Sequence, residues 1–279
     1  MTTKPIVVGT DGSAQAVRAV EWAAREAVLR GAPLRIVSAA EMPPKMSAPS
    51  PGTGLETVAT HLVGDRDRAL ADAAGVAAAT APDVLTDTDP VDGPPAQAVA
   101  DSGSGALLLV VGSDGHGSFA AMTLGSVSRY VALHAPCPAV VVREESAAAE
   151  RLVVVGIGSL QDCGPALAFG FEEARLRKAA LLAVHAWQFP DSRAAQEAGA
   201  TLDDLLNDCR GRNPDVDASR DVVHGHPGRV LADLSARADL VVLGRHGAND
   251  RLVPGPARVI HAVLSHARGP VVVVPPPSA

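Results

Sequence analysis

Aromatic residues are scarce in this chain of 279 residues, at 3% of the sequence against 47% for all hydrophobic residues. A core with so few aromatic rings must be aliphatic, built from valine, leucine, isoleucine and alanine. Basic residues are not in excess either, and the formal net charge is −7. Nucleic-acid-binding domains normally carry a basic face, so we expect no nucleic-acid partner.

Cysteines and long apolar runs are sparse as well. The three cysteines lie far apart, in no spacing typical of a metal site, and their odd number indicates reduced thiols. No apolar run approaches the roughly 18 residues that a membrane span needs. An apolar segment begins at Ile6, which leaves no room for a signal peptide. We therefore expect a cytoplasmic protein with no membrane partner.

An internal repeat is the main feature that the chain does have. The segment "IVVGTDGS" returns as "LVVVGIGS", "LLVVGSDG" as "LVVLGRHG", and "HAPCPAVVV" as "HARGPVVVV". The offset between copies is 147 residues from Gly9 to Gly156 and 132 residues from Gly112 to Gly244. Such self-similarity indicates two similar domains. The sequence predicts these at residues 1–145 and 151–279.

Within each half, short aliphatic runs alternate with longer alanine-rich segments. This pattern predicts an α/β fold in which helices cover both faces of a mostly parallel, doubly wound sheet. The predicted strands of the first half are Ile6–Gly9, Leu34–Ala39, Val84–Thr88, Leu107–Val111 and Ala139–Val142. The predicted helices lie near Ala14–Arg30, Leu55–Ala79, Pro95–Ser102 and Ser126–His134.

Two loops at strand ends have the composition of a ligand site. "GTDGS" follows the first strand and presents Asp11, and "GSDGHGSFAAMTLGS" follows the fourth. In an open parallel sheet, ligands bind beyond the carboxyl ends of the strands, where the strand order reverses. Gly112 and Gly115 let backbone N–H groups approach a ligand. Ser126 is the expected N-cap of a helix whose N-terminus suits phosphate, with Ser128 as a further donor.

These residues carry a family resemblance. Gly112, two residues, Gly115, nine residues, then Gly125-Ser126 resembles the nucleotide-binding signature of the ATP-binding universal stress proteins, and "VVGTDGS" resembles that family's opening strand. The resemblance implies two tandem Rossmann-like domains, each with five strands in the order 3-2-1-4-5. It implies ATP, with or without magnesium, as the ligand. The implied binding residues are Gly9, Thr10, Asp11, Ser38, Ala39, Gly112, Gly115, Gly125, Ser126 and Val127.

The second half departs from this signature. Asp11 aligns with Gly158, so the carboxylate is missing, and Gly125-Ser126 aligns with Ala257-Arg258. Gly244 and Gly247 keep the first glycine spacing, but Pro254 and Pro256 stiffen the loop that follows. We therefore expect nucleotide binding mainly in the first half.

Three functions are compatible with this sequence. The first is a regulatory nucleotide-binding protein of the stress response that holds ATP without rapid turnover, since no catalytic group can be assigned. The second is a slow ATP hydrolase or adenylyl-transferring enzyme, and the third is an interaction module without a ligand. The apolar final strands "PAVVV" and "PVVVV", with edges to cover, predict a homodimer. The alternative role for Asp11 is to cap the helix that begins near Ala14.

Overall fold

The chain divides into two compact units, Met1–Cys137 and Pro138–Ala279. The computed structural model describes residues 3–41, 54–114, 124–143, 150–187, 192–245 and 255–277. In both units strands and helices alternate and the strands are mostly parallel, which confirms the predicted α/β fold class.

The first unit is built on four parallel strands in the order β3-β2-β1-β4. The strands are β1 (Ile6–Gly9), β2 (Leu34–Ala40), β3 (Thr86–Asp92) and β4 (Leu108–Gly112). The helices are α1 (Ala14–Arg30), α2 (Gly54–Thr80), α3 (Pro95–Asp101) and α4 (Ser126–His134).

The second unit contains six strands in the order β5-β10-β9-β6-β7-β8. The strands are β5 (Ala139–Val142), β6 (Leu152–Gly156), β7 (Ala180–Trp187), β8 (Ala218–His224), β9 (Leu240–Gly244) and β10 (Val271–Val274). The helices are α5 (Gly164–Arg177), α6 (Ser192–Arg212), α7 (Pro227–Leu234) and α8 (Gly255–His266). Counted within the second half of the sequence, β6 to β10 have the predicted order 3-2-1-4-5.

Strand β5 belongs to the second unit although its sequence ends the first repeat. It pairs antiparallel with β10, through Val141 opposite Val271 and Ala139 opposite Val273. The contacts of the chain therefore divide at Cys137, ahead of β5. The boundary near residues 145–151 was drawn from the sequence repeat and stays a prediction.

Four strands contain no polar side chain, which is typical of sheets that are covered on both faces. All residues of β1, β4, β5 and β10 are buried. Ser13 is the N-cap of helix α1, and its hydroxyl accepts a hydrogen bond from the Ala16 N–H at 3.2 Å. It ends at Gly31, whose left-handed backbone (φ 60°) suits glycine best. These two signals fix the bounds of the helix that packs against β1 and β4.

Gly112, at the end of β4, makes room for the first turn of α1. A Cβ at this position would lie 2.8 Å from both the carbonyl carbon and oxygen of Gln15, and 3.1 Å from the Ala16 nitrogen. The repeat-equivalent residue Gly244 is less crowded, since a Cβ there would lie 3.5 Å from the Ala166 Cβ. Gly112 is therefore needed for packing as well as for any approach of a ligand.

We expect Gly112→Ala to lower the free energy of unfolding by about 1–3 kcal/mol, because the backbone of α1 must move. Gly244→Ala is the matched control and should change it by less than about 1 kcal/mol, since its new methyl group makes an ordinary contact. Urea unfolding followed by circular dichroism measures both variants. Equal losses in the two would contradict this account of Gly112.

Candidate functional site

The loops after β1 and β4 lie at the same edge of the first sheet. The two strands pair in parallel, with Ile6 opposite Leu108 and Val8 opposite Val110. Strand β2 flanks β1 on its other side, so β1 lies where the strand order reverses. This is the position at which open α/β sheets bind ligands, as the sequence predicted.

The loop after β1 is held by its own short hydrogen bonds. The Thr10 N–H donates to the Val37 carbonyl at 2.9 Å, and the Gly12 N–H donates to the Thr10 hydroxyl at 3.2 Å. The Ser13 N–H donates to Oδ1 of Asp11 at 3.0 Å. Ser13, not Asp11, caps α1, so the alternative role for Asp11 is wrong. The exposed Asp11 carboxylate is instead oriented by this turn.

Ser38 and Ala39 were the two positions predicted near the end of β2. The backbone of Ala39 is the one that faces the edge where the loops after β1 and β4 lie. The Val37 carbonyl points toward β1, where it accepts from Thr10, and the Ala40 carbonyl points toward β3, where it accepts from the Gly93 N–H at 3.1 Å. Because backbone direction alternates along a strand, the N–H and C=O of Ala39 point to the side of β1. Strand β1 has already ended there at Gly9. The amide groups of Ser38 face β3, and its side chain is buried.

Helix α4 presents its N-terminus to the same edge. The Gly125 N–H donates to the Ser113 carbonyl at 2.9 Å, which places the start of α4 beside the end of β4. Gly125 is the N-cap and makes no side-chain cap hydrogen bond, so the prediction that Ser126 is the N-cap is wrong. Ser126 is instead the first helical residue. The N–H groups of Ser126 and Val127 lie in the first turn, where no intrahelical acceptor exists.

Ser128 has a different function from the predicted one. Its side chain is buried, and its hydroxyl donates to the Gly112 carbonyl at 2.6 Å. The expectation that this hydroxyl donates to a ligand is therefore wrong. It ties α4 to the end of β4 and so positions the helix N-terminus. The predicted residue Gly115 lies outside the described residues.

Gly9 has a packing reason to be glycine. A Cβ there would lie 2.9 Å from Cγ1 of Val99, a residue of α3. The second half has the same arrangement, in which a Cβ on Gly156 would lie 2.8 Å from Cδ1 of Leu231. Because the half without the nucleotide signature shares this feature, it does not distinguish the two sites.

The corresponding edge of the second unit is built differently. His185 aligns with Ser38, and its ring nitrogen Nδ1 lies 2.9 Å from the carbonyl of Ile157, at the end of β6. The loop before α5 is also longer, because α5 begins at Gly164, three residues later than α1 by the offset of 147. Helix α8 begins at Gly255, which is three residues earlier than α4 by the offset of 132. Its second residue is Pro256, which has no N–H to offer an anion.

Cys163 is the N-cap of α5 and is buried. Burial raises the pKa of its thiol, and a hydrogen bond with backbone opposes this in part. The group therefore stays protonated at neutral pH, and the site does not supply a thiolate nucleophile.

The sequence profile of the universal stress protein family matches residues 2–143 and again residues 151–275. The chain belongs to the universal stress protein family. A relative from this family, universal stress protein Rv2005c of Mycobacterium tuberculosis, is 32% identical over 286 residues, covering 96% of each chain. The two matched segments confirm the tandem arrangement that the repeat predicted.

A solved structure of the family agrees with this chain in fold. The crystal structure of a universal stress protein from Archaeoglobus fulgidus covers 99% of this chain and 97% of its own, with a TM-score of 0.72 and 15% identity. A universal stress protein solved in complex with cAMP covers 51% of this chain and 98% of its own, with 29% identity and a TM-score of 0.40.

Two further kinds of site are absent from the described ranges. No helix there combines the length and hydropathy needed to cross a bilayer. Nor do three or more His, Cys, Asp or Glu side chains of those residues converge as a metal site would require.

Asp114 is a residue of this edge that sequence reasoning passed over. It follows β4 and lies beside the N-cap of α4, since a Cβ on Gly125 would be 3.4 Å from the Asp114 Cα. The sequence did offer a signal, because Asp114 lies inside the "GSDG" motif that follows β4. The glycines and serines of this loop were interpreted as ligand-binding residues, and the aspartate between them was not considered.

We expect Ser128→Ala to lower the free energy of unfolding by about 1–2 kcal/mol, because the Gly112 carbonyl loses a buried donor. Ser126→Ala is the matched control two residues away. Its side chain is exposed, so we expect a change within about 0.5 kcal/mol. Thermal unfolding of both variants checks this, and an equal shift in the two would contradict the assigned tie.

Proposed function

We propose that the first half of this chain binds an adenine nucleotide, ATP, as a cytoplasmic regulatory protein of the stress response. One observation carries the proposal: three groups with suitable chemistry lie at one edge of the sheet. They are the exposed carboxylate of Asp11, the backbone amide groups of Ala39 and the N-terminus of α4.

Each group matches one part of the nucleotide. The N–H and C=O of Ala39 can pair with the ring nitrogen and amino group on one edge of adenine. The Asp11 carboxylate can accept hydrogen bonds from ribose hydroxyls, and such bonds to a charged acceptor are the strong ones. The N–H groups of Ser126 and Val127, with the positive end of the α4 dipole, suit phosphate oxygens.

The proposed protein holds its nucleotide rather than consuming it, since these groups bind and orient and none is placed as a general base. The enzyme alternative, a slow ATP hydrolase or adenylyl-transferring enzyme, predicts turnover. Release of phosphate or pyrophosphate at many turnovers per hour from purified protein would favour that alternative. Retention of intact ATP through purification supports the binding function, and failure to bind any nucleotide favours an interaction module.

The second half is proposed to bind nucleotide weakly or not at all. It has Gly158 at the position of Asp11, and the ring of His185 contacts the end of β6. Helix α8 begins at a different place, and Pro256 removes one N–H from its first turn. The exposed Arg258 can attract phosphate, but an exposed charge contributes about 1 kcal/mol or less.

We expect one tightly bound ATP per chain. Losing two charge-assisted hydrogen bonds, at roughly 1.5–3 kcal/mol each, weakens binding by two or more orders of magnitude. Titration calorimetry should therefore give a stoichiometry of one, and Asp11→Ala should remove the tight site. Gly158→Ala, at the equivalent position of the second half, is the control and should leave tight binding unchanged. Two equivalent tight sites, or full affinity in Asp11→Ala, would contradict the asymmetric arrangement.

A homodimer remains part of the proposal, although the strands that predicted it are paired within the chain. The edges of β5 and β10 pair with each other within the chain, so they do not require a second copy. The outermost strand of the first unit, β3, carries Asp87, Asp89 and Pro90, which discourage strand addition. A dimer would thus form through helix surfaces rather than strand edges.

Sedimentation velocity at micromolar concentration, with and without ATP, tests the dimer. We expect a dimer whose stability does not change when Asp87 is replaced by threonine, since strand edges are not used. A monomer at every concentration would refute the dimer and leave nucleotide binding unaffected.

A further inference from the structure

Asp114 carries a buried carboxylate oxygen that no described group satisfies. Its Oδ1 is shielded from solvent and has no hydrogen-bond partner, although the residue follows directly on the buried strand β4. By contrast, the buried Glu26 carboxylate of the same unit is paired, because Arg30 Nε donates to it at 2.7 Å. Burying a carboxylate oxygen with neither water nor a hydrogen-bond partner costs free energy, unless a ligand binds to that oxygen.

The position of Asp114 shows what kind of ligand fits. The Asp114 backbone lies beside Gly125, the N-cap of α4, where the phosphates of a bound nucleotide are expected. A carboxylate and a phosphate repel each other unless a cation lies between them. Magnesium is commonly bound in this way, through one or two carboxylates together with substrate phosphates and water.

We propose that Asp114 is the protein ligand of a divalent cation, which it shares with the phosphates of the nucleotide. This inference rests on the function proposed above and makes ATP binding dependent on the cation. The described residues contain no group of three metal-ligating side chains. The cation is therefore held jointly by protein and nucleotide, and the protein alone binds it weakly.

The internal repeat provides a contrast. By the offset of 132 residues, Asp114 aligns with His246, and the preceding Ser113 aligns with Arg245. The second half thus has no carboxylate at this position. A cation requirement that comes from Asp114 belongs to the first half alone.

The test measures ATP affinity by titration calorimetry, in magnesium chloride and again in EDTA. We expect the wild-type chain to lose at least about tenfold in affinity without magnesium. Asp114→Asn keeps the shape of the side chain but removes the charge. This variant should bind metal-free ATP at least as tightly as the wild type does, and its affinity should change less than about threefold with magnesium. Asp83→Asn, in an exposed turn before β3, is the control and should behave as the wild type does.

A second measurement follows the cation directly. Electron paramagnetic resonance of manganese, titrated into protein with ATP, should show an immobilised ion that Asp114→Asn loses. Thermal unfolding of the ligand-free variant checks that it is folded. A wild type with equal affinity in magnesium and EDTA, or a variant with the wild-type cation dependence, would overturn the inference while leaving nucleotide binding in place. Absence of ATP binding in every condition would instead refute the proposed function.

Discussion

The parallel pairing of β1 with β4 is the constraint on which the candidate site depends. It brings together two loops that are about one hundred residues apart in sequence, one with Asp11 and one with Asp114. The pairing is held by aliphatic side chains that are buried on both faces of the sheet. Gly112 adds a second connection, because its missing side chain lets the first turn of α1 lie against the end of β4. The N-termini of α1 and α4 are thereby fixed relative to this edge of the sheet.

Much of this arrangement could be predicted from the sequence because it follows from apolar patterns. Strands β1 and β5 have the predicted bounds, and β2 and β4 are within one residue of them. Strand β3 was predicted at Val84–Thr88 and lies at Thr86–Asp92. As an outermost strand, β3 has alternating aspartates and a proline instead of an apolar run, so hydrophobicity could not locate it.

The site was predicted less completely, for a different physical reason. Residue type predicted that Asp11, Gly125 and Ser126 lie at one edge of the sheet, but not which way each group points. Whether a hydroxyl faces a ligand or the protein depends on where the helix begins, and the N-cap of α4 lies one residue earlier than expected. That shift makes Gly125 the cap, and the Ser128 hydroxyl contacts the Gly112 carbonyl. The unsatisfied oxygen of Asp114 becomes visible only when burial is known.

The two halves show how one fold can keep its scaffold while its site changes. Packing features repeat: Gly9 makes room for Val99 of α3 and Gly156 for Leu231 of α7, and Glu26 pairs with Arg30 as Glu173 pairs with Arg177. The residues of the proposed site do not repeat, since Asp11 and Asp114 align with Gly158 and His246. The two copies therefore share these packing features and differ at the proposed site.

The most direct test of the asymmetric nucleotide site is a crystal structure of the chain grown with ATP and magnesium. The account predicts a nucleotide in the first half only, with adenine against the Ala39 backbone, ribose at Asp11 and phosphates at the N-terminus of α4. A nucleotide bound equally in both halves, or in the second half alone, would contradict it.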